Sequence, residues 1–183
     1  MLGSVSSLTI RLPTRPDQTE FNIRRWEEIC ADPFYANIEG RFETDRHGNA
    51  IMTPPAGRPH GARQSKIVQL ISGYLPMGEI VTECPISTSD GVRAADVAWL
   101  SPERSKQTAG ENCLSVAPEI CVEVLSPSNI AEEMSYKKAL YFAAGASEVW
   151  FCSNDGTMKF YLSADTPAEE SSSLCPEFPA SIE

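Results

Sequence analysis

The sequence predicts a mixed α/β fold (α+β in some classifications), with a mixed central sheet flanked by helices. Helix-like segments alternate with pairs of short strand-like segments along the chain. Turns that contain Gly, Asn or Asp join the paired strands, as in β-hairpins. One strand–helix–strand unit over residues 119–153 has the length of a right-handed crossover, which places its two strands parallel.

The composition fits one globular domain. The 183 residues are 42% hydrophobic and 22% charged, which provides a core and argues against disorder. We see no signal peptide and no apolar run of ~18 residues, so we expect a cytoplasmic protein without a membrane span. The net charge of −10 argues against a polyanionic partner. However, residues 1–66 hold nine basic and eight acidic residues, so this part is nearly neutral.

The six cysteines are interpreted as reduced structural thiols. They form no Cys-x-x-Cys pair and have no histidine at zinc-finger spacing, which makes a zinc site improbable. They are Cys30, Cys84, Cys113, Cys121, Cys152 and Cys175.

The first half of the chain contains two predicted helices separated by a hairpin. Apolar residues at helical spacing predict a helix over 19–32, and a second apolar stripe predicts one over 60–74. The turn Arg46-His47-Gly48-Asn49 joins the two predicted strands, and a Pro-Pro pair ends the second one. The predicted segments are an N-terminal arm over 1–18, strands over 34–42 and 50–53, and these two helices.

The second half contains the sheet and its crossover helix. Period-2 or continuously apolar segments predict the strands, and the turns at 89–91 and 154–156 close two hairpins. Gly145 ends the helix, and residues 101–116 lack periodicity and are predicted as a loop. The strands are expected over 79–84, 92–100, 119–125, 148–153 and 158–162, and the helix over 130–146. The domain would then span 19–162, followed by a Ser-, Glu- and Pro-rich surface tail over 163–183.

Two carboxylates lie inside apolar strands. Glu123 follows Ile-Cys-Val in the run 120–125, and Asp96 lies in the stretch "VRAADVAWL". A buried carboxylate is costly unless a cation compensates it, and two adjacent carboxylates repel each other. Mg²⁺ or Mn²⁺ accepts such oxygen ligands, so Asp96 and Glu123 are candidate metal ligands.

Lys137 is the candidate partner of these carboxylates. On a helical projection of 130–146, Lys137 lies near the centre of the apolar arc, whereas Lys138 lies at its solvent-facing edge. A lysine at that position either extends out to solvent or reaches an anion beneath the helix. A buried Asp–Lys–Glu network without chemistry remains an alternative.

The motifs "RAADVAWLSPE", "APEICVEVLSPSN" and "KKALYFAAGASEVWFCS" resemble a family of restriction-endonuclease-like proteins in the PD-(D/E)XK nuclease superfamily. This bacterial branch is widespread and mostly uncharacterised. The resemblance covers about residues 35–162, with the motifs in order at the family spacing. The residues that match are Asp96, Glu123, Ser126, Ser128, Lys137, Tyr141 and Gly145.

The resemblance implies a restriction-endonuclease-like core and metal-dependent hydrolysis of phosphodiester bonds. Asp96, Glu123 and the carbonyl of Val124 would hold Mg²⁺ or Mn²⁺. Lys137 would orient the water or stabilise the developing charge. His60 matches a histidine of the family. The expected partners are nucleic acid, with DNA as the first candidate, and a second copy of the chain in a homodimer.

A basic segment supplies the candidate nucleic-acid contacts, Arg58, Arg63 and Lys66. If Asp96 and Glu123 do not hold the ion, Glu39 and Glu83 are the next candidates.

The segment "YANIEGRF" departs from the family pattern, because Ala36 and Arg41 stand where glutamates are usual and only Glu39 remains as an auxiliary acid. Ala95 also replaces the usual proline before the strand aspartate. Two other functions therefore stay open. One is a non-catalytic dimeric interaction protein that kept the fold, and the other is a phosphate-ester enzyme acting on nucleotides.

Overall fold

A computed structural model describes residues 15–126 and 129–182. Its helices are α1 (Gln18–Ala31), α2 (Pro33–Ala36), α3 (Arg58–Tyr74), α4 (Pro102–Gln107) and α5 (Ala131–Ala143). Its strands are β1 (Arg41–Thr44), β2 (Ala50–Thr53), β3 (Glu79–Thr88), β4 (Gly91–Leu100), β5 (Ile120–Val124), β6 (Glu148–Cys152) and β7 (Met158–Tyr161).

The central sheet has the strand order β3-β4-β5-β6-β7. The β5–β6 pair is parallel and the other pairs are antiparallel, which confirms the mixed sheet and the crossover through α5. The β1–β2 hairpin forms a separate two-stranded sheet. This hairpin packs against β4, where the amide of Val92 donates to the Thr44 hydroxyl at 2.9 Å.

The core lies on both faces of this sheet because neighbouring strand residues point to opposite sides. Val97 and Val122 pack on one face with Ile67 and Ile71 of α3. Ala98 and Cys121, their neighbours along the strands, pack on the other face with Tyr141 of α5 and the rest of a second cluster. The sheet is therefore sandwiched between α3 and α5, as the periodicity of the two helices predicts.

Two predictions for the connecting segments are wrong. The strand predicted over 34–42 begins only at Arg41, because α2 starts at Pro33 with the Asp32 carboxylate accepting the Phe34 amide at 2.8 Å. The loop predicted over 101–116 contains α4. The Ser101 hydroxyl caps this helix by accepting the amide of Arg104 at 3.1 Å.

The segment after β7 contributes to the core, although a surface tail was expected from its composition. Cys175, Phe178 and Ile182 belong to the core cluster on the α3 face. The buried Glu148 carboxylate of β6 accepts a hydrogen bond from the Ser172 hydroxyl at 2.7 Å and two from the backbone amides that follow. Residues 1–14 of the predicted arm lie outside the described residues.

All six cysteines are free thiols, and five of them are buried, which agrees with a structural role. Within the described ranges, no helix is long and apolar enough to span a bilayer.

Candidate active site

Asp96 of β4 and Glu123 of β5 are neighbours across the sheet. Each lies one position beyond Val97–Val122, the last registered pair of that ladder. Both side chains are almost completely buried, at 1% and 4% exposure. Asp96 Oδ2 accepts the amide N–H of Val124 at 2.6 Å, so this carboxylate fixes the end of β5.

Glu123 is compensated by α5, which crosses above it. The ammonium of Lys137 lies 3.0 Å from Glu123 Oε1, and the hydroxyl of Tyr141 donates to the same oxygen at 2.7 Å. Lys137 and Tyr141 are four residues apart and therefore share one face of the helix. Burial raises the pKa of Glu123 to about 7, although Lys137 opposes this rise. This carboxyl is therefore poised to exchange a proton near neutral pH.

Lys137 lies at the centre of the cluster, as its position on the helical arc predicts. Its ammonium also contacts Glu43 Oε1 at 2.9 Å and donates to the carbonyl of Ala94 at 3.2 Å. Burial alone would lower the pKa of Lys137, but Glu123 and Glu43 outweigh it and raise that pKa. Lys137 therefore remains charged.

Lys138 was expected at the solvent-facing edge of the arc, and this expectation is wrong. The side chain is buried, with its ammonium 4.2 Å from the centre of the Tyr161 ring. The methylene chain of a lysine is apolar, so it can pack along an apolar surface while the ammonium lies at the edge.

Glu43 is a member of the cluster that sequence reasoning missed. It lies on β1, where burial raises its pKa, but Lys137, the Ala94 amide and Arg93 together outweigh burial and lower the pKa overall. Its Oε1 also accepts the amide N–H of Ala94 at 3.1 Å. A glutamate on a short, half-exposed strand carries no signal in the sequence, because only the docking of the β1–β2 hairpin brings it to α5.

Arg41, the residue that stands at a family glutamate position, lies directly on Asp96. Its Nη1 is 2.5 Å from Asp96 Oδ1, its Nε is 2.8 Å from Glu83 Oε2, and its Nη2 donates to the carbonyl of Ala94. Burial raises the pKa of Asp96, but its interactions with His60 and Arg41 outweigh this and lower the pKa overall. Asp96 is therefore ionised.

Glu83 reaches Arg41 from β3 through an unusual backbone conformation. Its φ is +52°, and within the described chain no other residue except glycine has a positive φ. It faces Asp96 across the β3–β4 ladder, at the step where the pairing is interrupted. The Gln64 amide of α3 donates to Glu83 Oε1 at 2.7 Å and to the Asp96 carbonyl at 3.0 Å. Such local strain is concentrated at functional sites.

His60 at the start of α3 completes the cluster, with Nε2 at 3.3 Å from Asp96 Oδ1. The interaction with Asp96 raises the pKa of this imidazole despite burial. Glu39, the other auxiliary residue predicted from the sequence, is exposed, and among the described residues it makes no hydrogen bond or ion pair with the cluster.

The predicted nucleic-acid contacts all lie on α3. Arg58 and Lys66 are exposed, and Arg63 is partly buried. A groove of about 510 Å³ runs between α3 and β3 beside the cluster. Its lining includes Gln64 and Glu83, the residues that join it to Asp96.

The arrangement does not fit the divalent ion that the resemblance implies. Both oxygens of Asp96 are engaged, one by Arg41 and His60 and the other by the Val124 amide. Glu123 Oε1 is held by Lys137 and Tyr141. Within the described part of the chain, no three acidic, histidine or cysteine side chains converge to hold a metal.

The mixed five-stranded sheet between helices, with this cluster on its inner strands, defines a restriction-endonuclease-like protein. The model of the Uma2 family, described as "Putative restriction endonuclease", matches residues 26–179. The chain therefore belongs to the Uma2 family. Restriction-endonuclease-like families generally use divalent metals.

A solved structure supports the fold. The chain resembles the crystal structure of a putative nuclease belonging to DUF820 from Anabaena variabilis, with a TM-score of 0.60 and 19% sequence identity. The match covers 74% of this chain and 80% of that one. No curated protein matches the sequence.

Proposed function

We propose that the protein is a nuclease that hydrolyses phosphodiester bonds of nucleic acid, with DNA as the first candidate substrate. The observation that carries this proposal is the Lys137–Glu123 pair at 3.0 Å, next to the ionised Asp96, inside a restriction-endonuclease-like fold. The family match supports the same class of activity.

The roles follow from the charges of the three residues. Glu123, with a pKa raised to about 7 by burial, accepts the proton of the attacking water. Lys137 keeps its proton and places a positive charge where the phosphate oxygens gain negative charge. Asp96 holds the end of β5 through the Val124 amide, so that Glu123 and Lys137 stay in register.

Basic residues on α3 supply the contacts to the phosphate backbone. Arg58 and Lys66 are exposed and Arg63 is partly so, on the helix that forms one wall of the groove. Because such contacts release counterions, binding should weaken as the salt concentration rises. A homodimer, in which a second copy extends this basic surface, is part of the proposal.

Mg²⁺ or Mn²⁺ would have Asp96, Glu123 and the Val124 carbonyl as ligands, but both oxygens of Asp96 and the Oε1 atom of Glu123 already have partners in the folded chain. We therefore assign no step of the reaction to a metal ion.

The test is cleavage of fluorescently labelled single-stranded and duplex DNA and of RNA, by wild type, Lys137→Ala and Lys106→Ala. Lys106 is an exposed residue of α4, which packs near the opposite end of β5 through the Arg104–Glu119 pair. Lys106→Ala therefore removes one positive charge, as Lys137→Ala does, but at a position remote from the cluster. We expect cleavage by wild type and Lys106→Ala, and its loss in Lys137→Ala. Equal residual cleavage in both variants, or none by wild type with or without a divalent metal, would overturn the proposal.

A second candidate function is a non-catalytic interaction protein that retains the fold. The observation that favours it is the Arg41–Asp96 pair, which neutralises a carboxylate of the cluster. This function predicts a dimer by sedimentation equilibrium together with no cleavage under any condition.

A further inference from the structure

The space beside Asp96 is filled by the guanidinium of Arg41. Three oxygen groups converge on this cation: Asp96 Oδ1 at 2.5 Å, Glu83 Oε2 at 2.8 Å and the carbonyl oxygen of Ala94. Two carboxylates and a backbone carbonyl are the kind of oxygen ligands that hard divalent cations take in proteins. Here a side chain of the protein takes them.

Arg41 is held in this place by its own strand. β1 pairs with β2 in register, with Arg41 opposite Thr53, and the hairpin is tied to α5 through Glu43 and Lys137. The Arg41 side chain is only 22% exposed, so it is part of the cluster rather than of the open surface.

Two features show that Arg41 is an integral part of the cluster and not an ordinary surface residue. Glu83 adopts a φ of +52°, a strained conformation for glutamate, and its carboxylate meets the guanidinium. Moreover, Arg41 Nε and His60 Nε2 are buried nitrogen atoms without a well-directed hydrogen bond, although carboxylates lie close to both. The contacts of the guanidinium with Asp96, Glu83 and the Ala94 carbonyl hold this cation inside the cluster.

We propose that Arg41 takes the place of the divalent cation, so that Asp96 and Glu83 are neutralised by a guanidinium and the centre excludes Mg²⁺ and Mn²⁺. A divalent ion placed next to Arg41 and Lys137 would meet two positive charges within a partly buried site. The part of this inference that concerns cleavage rests on the proposed function, whereas the part that concerns ion binding does not.

Removing the guanidinium should therefore create an ion site. In Arg41→Gln, Asp96 and Glu83 lose their shared positive partner, and their oxygens become available to an ion. In Arg41→Glu, a third carboxylate is added to the same place. If Arg41→Glu fails to fold because of repulsion among these carboxylates, Arg41→Gln keeps the inference testable.

The experiment measures Mn²⁺ binding by titration calorimetry and by the shift in Tm. Wild type should show no binding at the cluster, whereas the Tm of Arg41→Gln and of Arg41→Glu should rise by about 5–10 °C at ~100 times the Kd. Adding Asp96→Asn to either variant should remove this gain. Arg46→Glu makes the same charge change at a residue paired with Asp90, and it should behave as wild type.

The inference is overturned if wild type binds Mn²⁺ as tightly as Arg41→Gln and loses that binding in Asp96→Asn. It is also overturned if neither Arg41 variant binds the ion.

Cleavage assays in EDTA separate this inference from the proposed function. Wild-type cleavage that persists in EDTA supports the inference, and cleavage that needs an added metal overturns it while leaving the nuclease function standing. If wild type cleaves nothing but the Mn²⁺ results are as expected, the nuclease proposal fails and the substitution of the ion by Arg41 stands.

Discussion

Two glutamates are buried in neighbouring parallel strands, and the protein uses them differently. Glu123 near the end of β5 and Glu148 at the start of β6 are 4% and 1% exposed. Uncharged donors surround Glu148: the Trp150 indole at 2.7 Å, the Ser172 hydroxyl and two backbone amides. Glu123 instead faces the ammonium of Lys137 and lies beside the ionised Asp96.

The difference shows that burial of a carboxylate does not by itself mark a site. Glu148 is satisfied by neutral donors fixed by the C-terminal segment, so it anchors that segment to the sheet. Glu123 shares its environment with several charged groups: burial raises its pKa to about 7, while the charges of Lys137 and Arg41 lower the pKa and that of Asp96 raises it. A charged neighbourhood, rather than depth, distinguishes the candidate catalytic residue.

The largest expected effect is on activity. Glu123→Gln should lower the rate of cleavage by about 10³-fold, because the amide cannot accept the proton of the attacking water. Glu148→Gln should keep the rate per folded molecule. The measurement is initial cleavage rate at a protein concentration corrected for the folded fraction. Comparable losses in both variants would remove the distinction between the two glutamates.

The next effect is on stability. Glu148→Ala should lower the free energy of unfolding by about 3–4 kcal/mol, because several buried donors lose their acceptor together. Urea denaturation measures this change. Glu177→Ala, at an exposed residue of the same C-terminal segment, should change stability by less than about 0.5 kcal/mol. A small loss in Glu148→Ala would mean that the segment is held by its apolar contacts alone.

A third effect is the dependence on pH. The Glu123 pKa is raised from 4.5 to about 7 in the native state, mainly by burial. Between these values the native state keeps a proton that the unfolded state has lost, so its contribution to stability falls as the pH rises. From pH 5 to pH 8, wild type should lose about 2 kcal/mol relative to Glu123→Gln.

Urea titrations of both proteins at several pH values test this difference. Parallel stability curves for the two would contradict the raised pKa. For wild type, kcat/KM should also rise with pH and level off near the Glu123 pKa of about 7.

The smallest effect concerns the hydroxyl that supports Glu123. Tyr141→Phe removes the 2.7 Å hydrogen bond to Glu123 Oε1 and should cost about 1 kcal/mol of stability. The same change should shift the pH profile of cleavage to higher pH. The ionised Glu123 carboxylate loses a hydrogen-bond donor, so the pKa of Glu123 rises. Tyr74→Phe removes a hydroxyl from a 42% exposed ring and serves as the control. An unchanged profile in Tyr141→Phe would assign the profile to another group.

Much of the site can be predicted from the sequence because its residues violate a local pattern. Asp96 and Glu123 interrupt apolar strands, and Lys137 interrupts an apolar helix face. Their convergence follows from the crossover rule, which folds α5 back over β5. Glu148 also borders an apolar strand, but its donors come from residues 172–174, which have no periodicity to suggest where they pack.

The sequence by itself determined the mixed sheet, the order of its strands around the crossover, and the meeting of Asp96, Glu123 and Lys137, because these depend on local periodicity and on chain connectivity. Only the tertiary structure decided that Arg41 lies on Asp96, that Glu43 and Glu83 join the cluster, and that residues 172–182 enter the core. Polar residues on half-exposed strands are ordinary in any sequence. Their partners are set by the docking of one element on another, which no short-range pattern encodes.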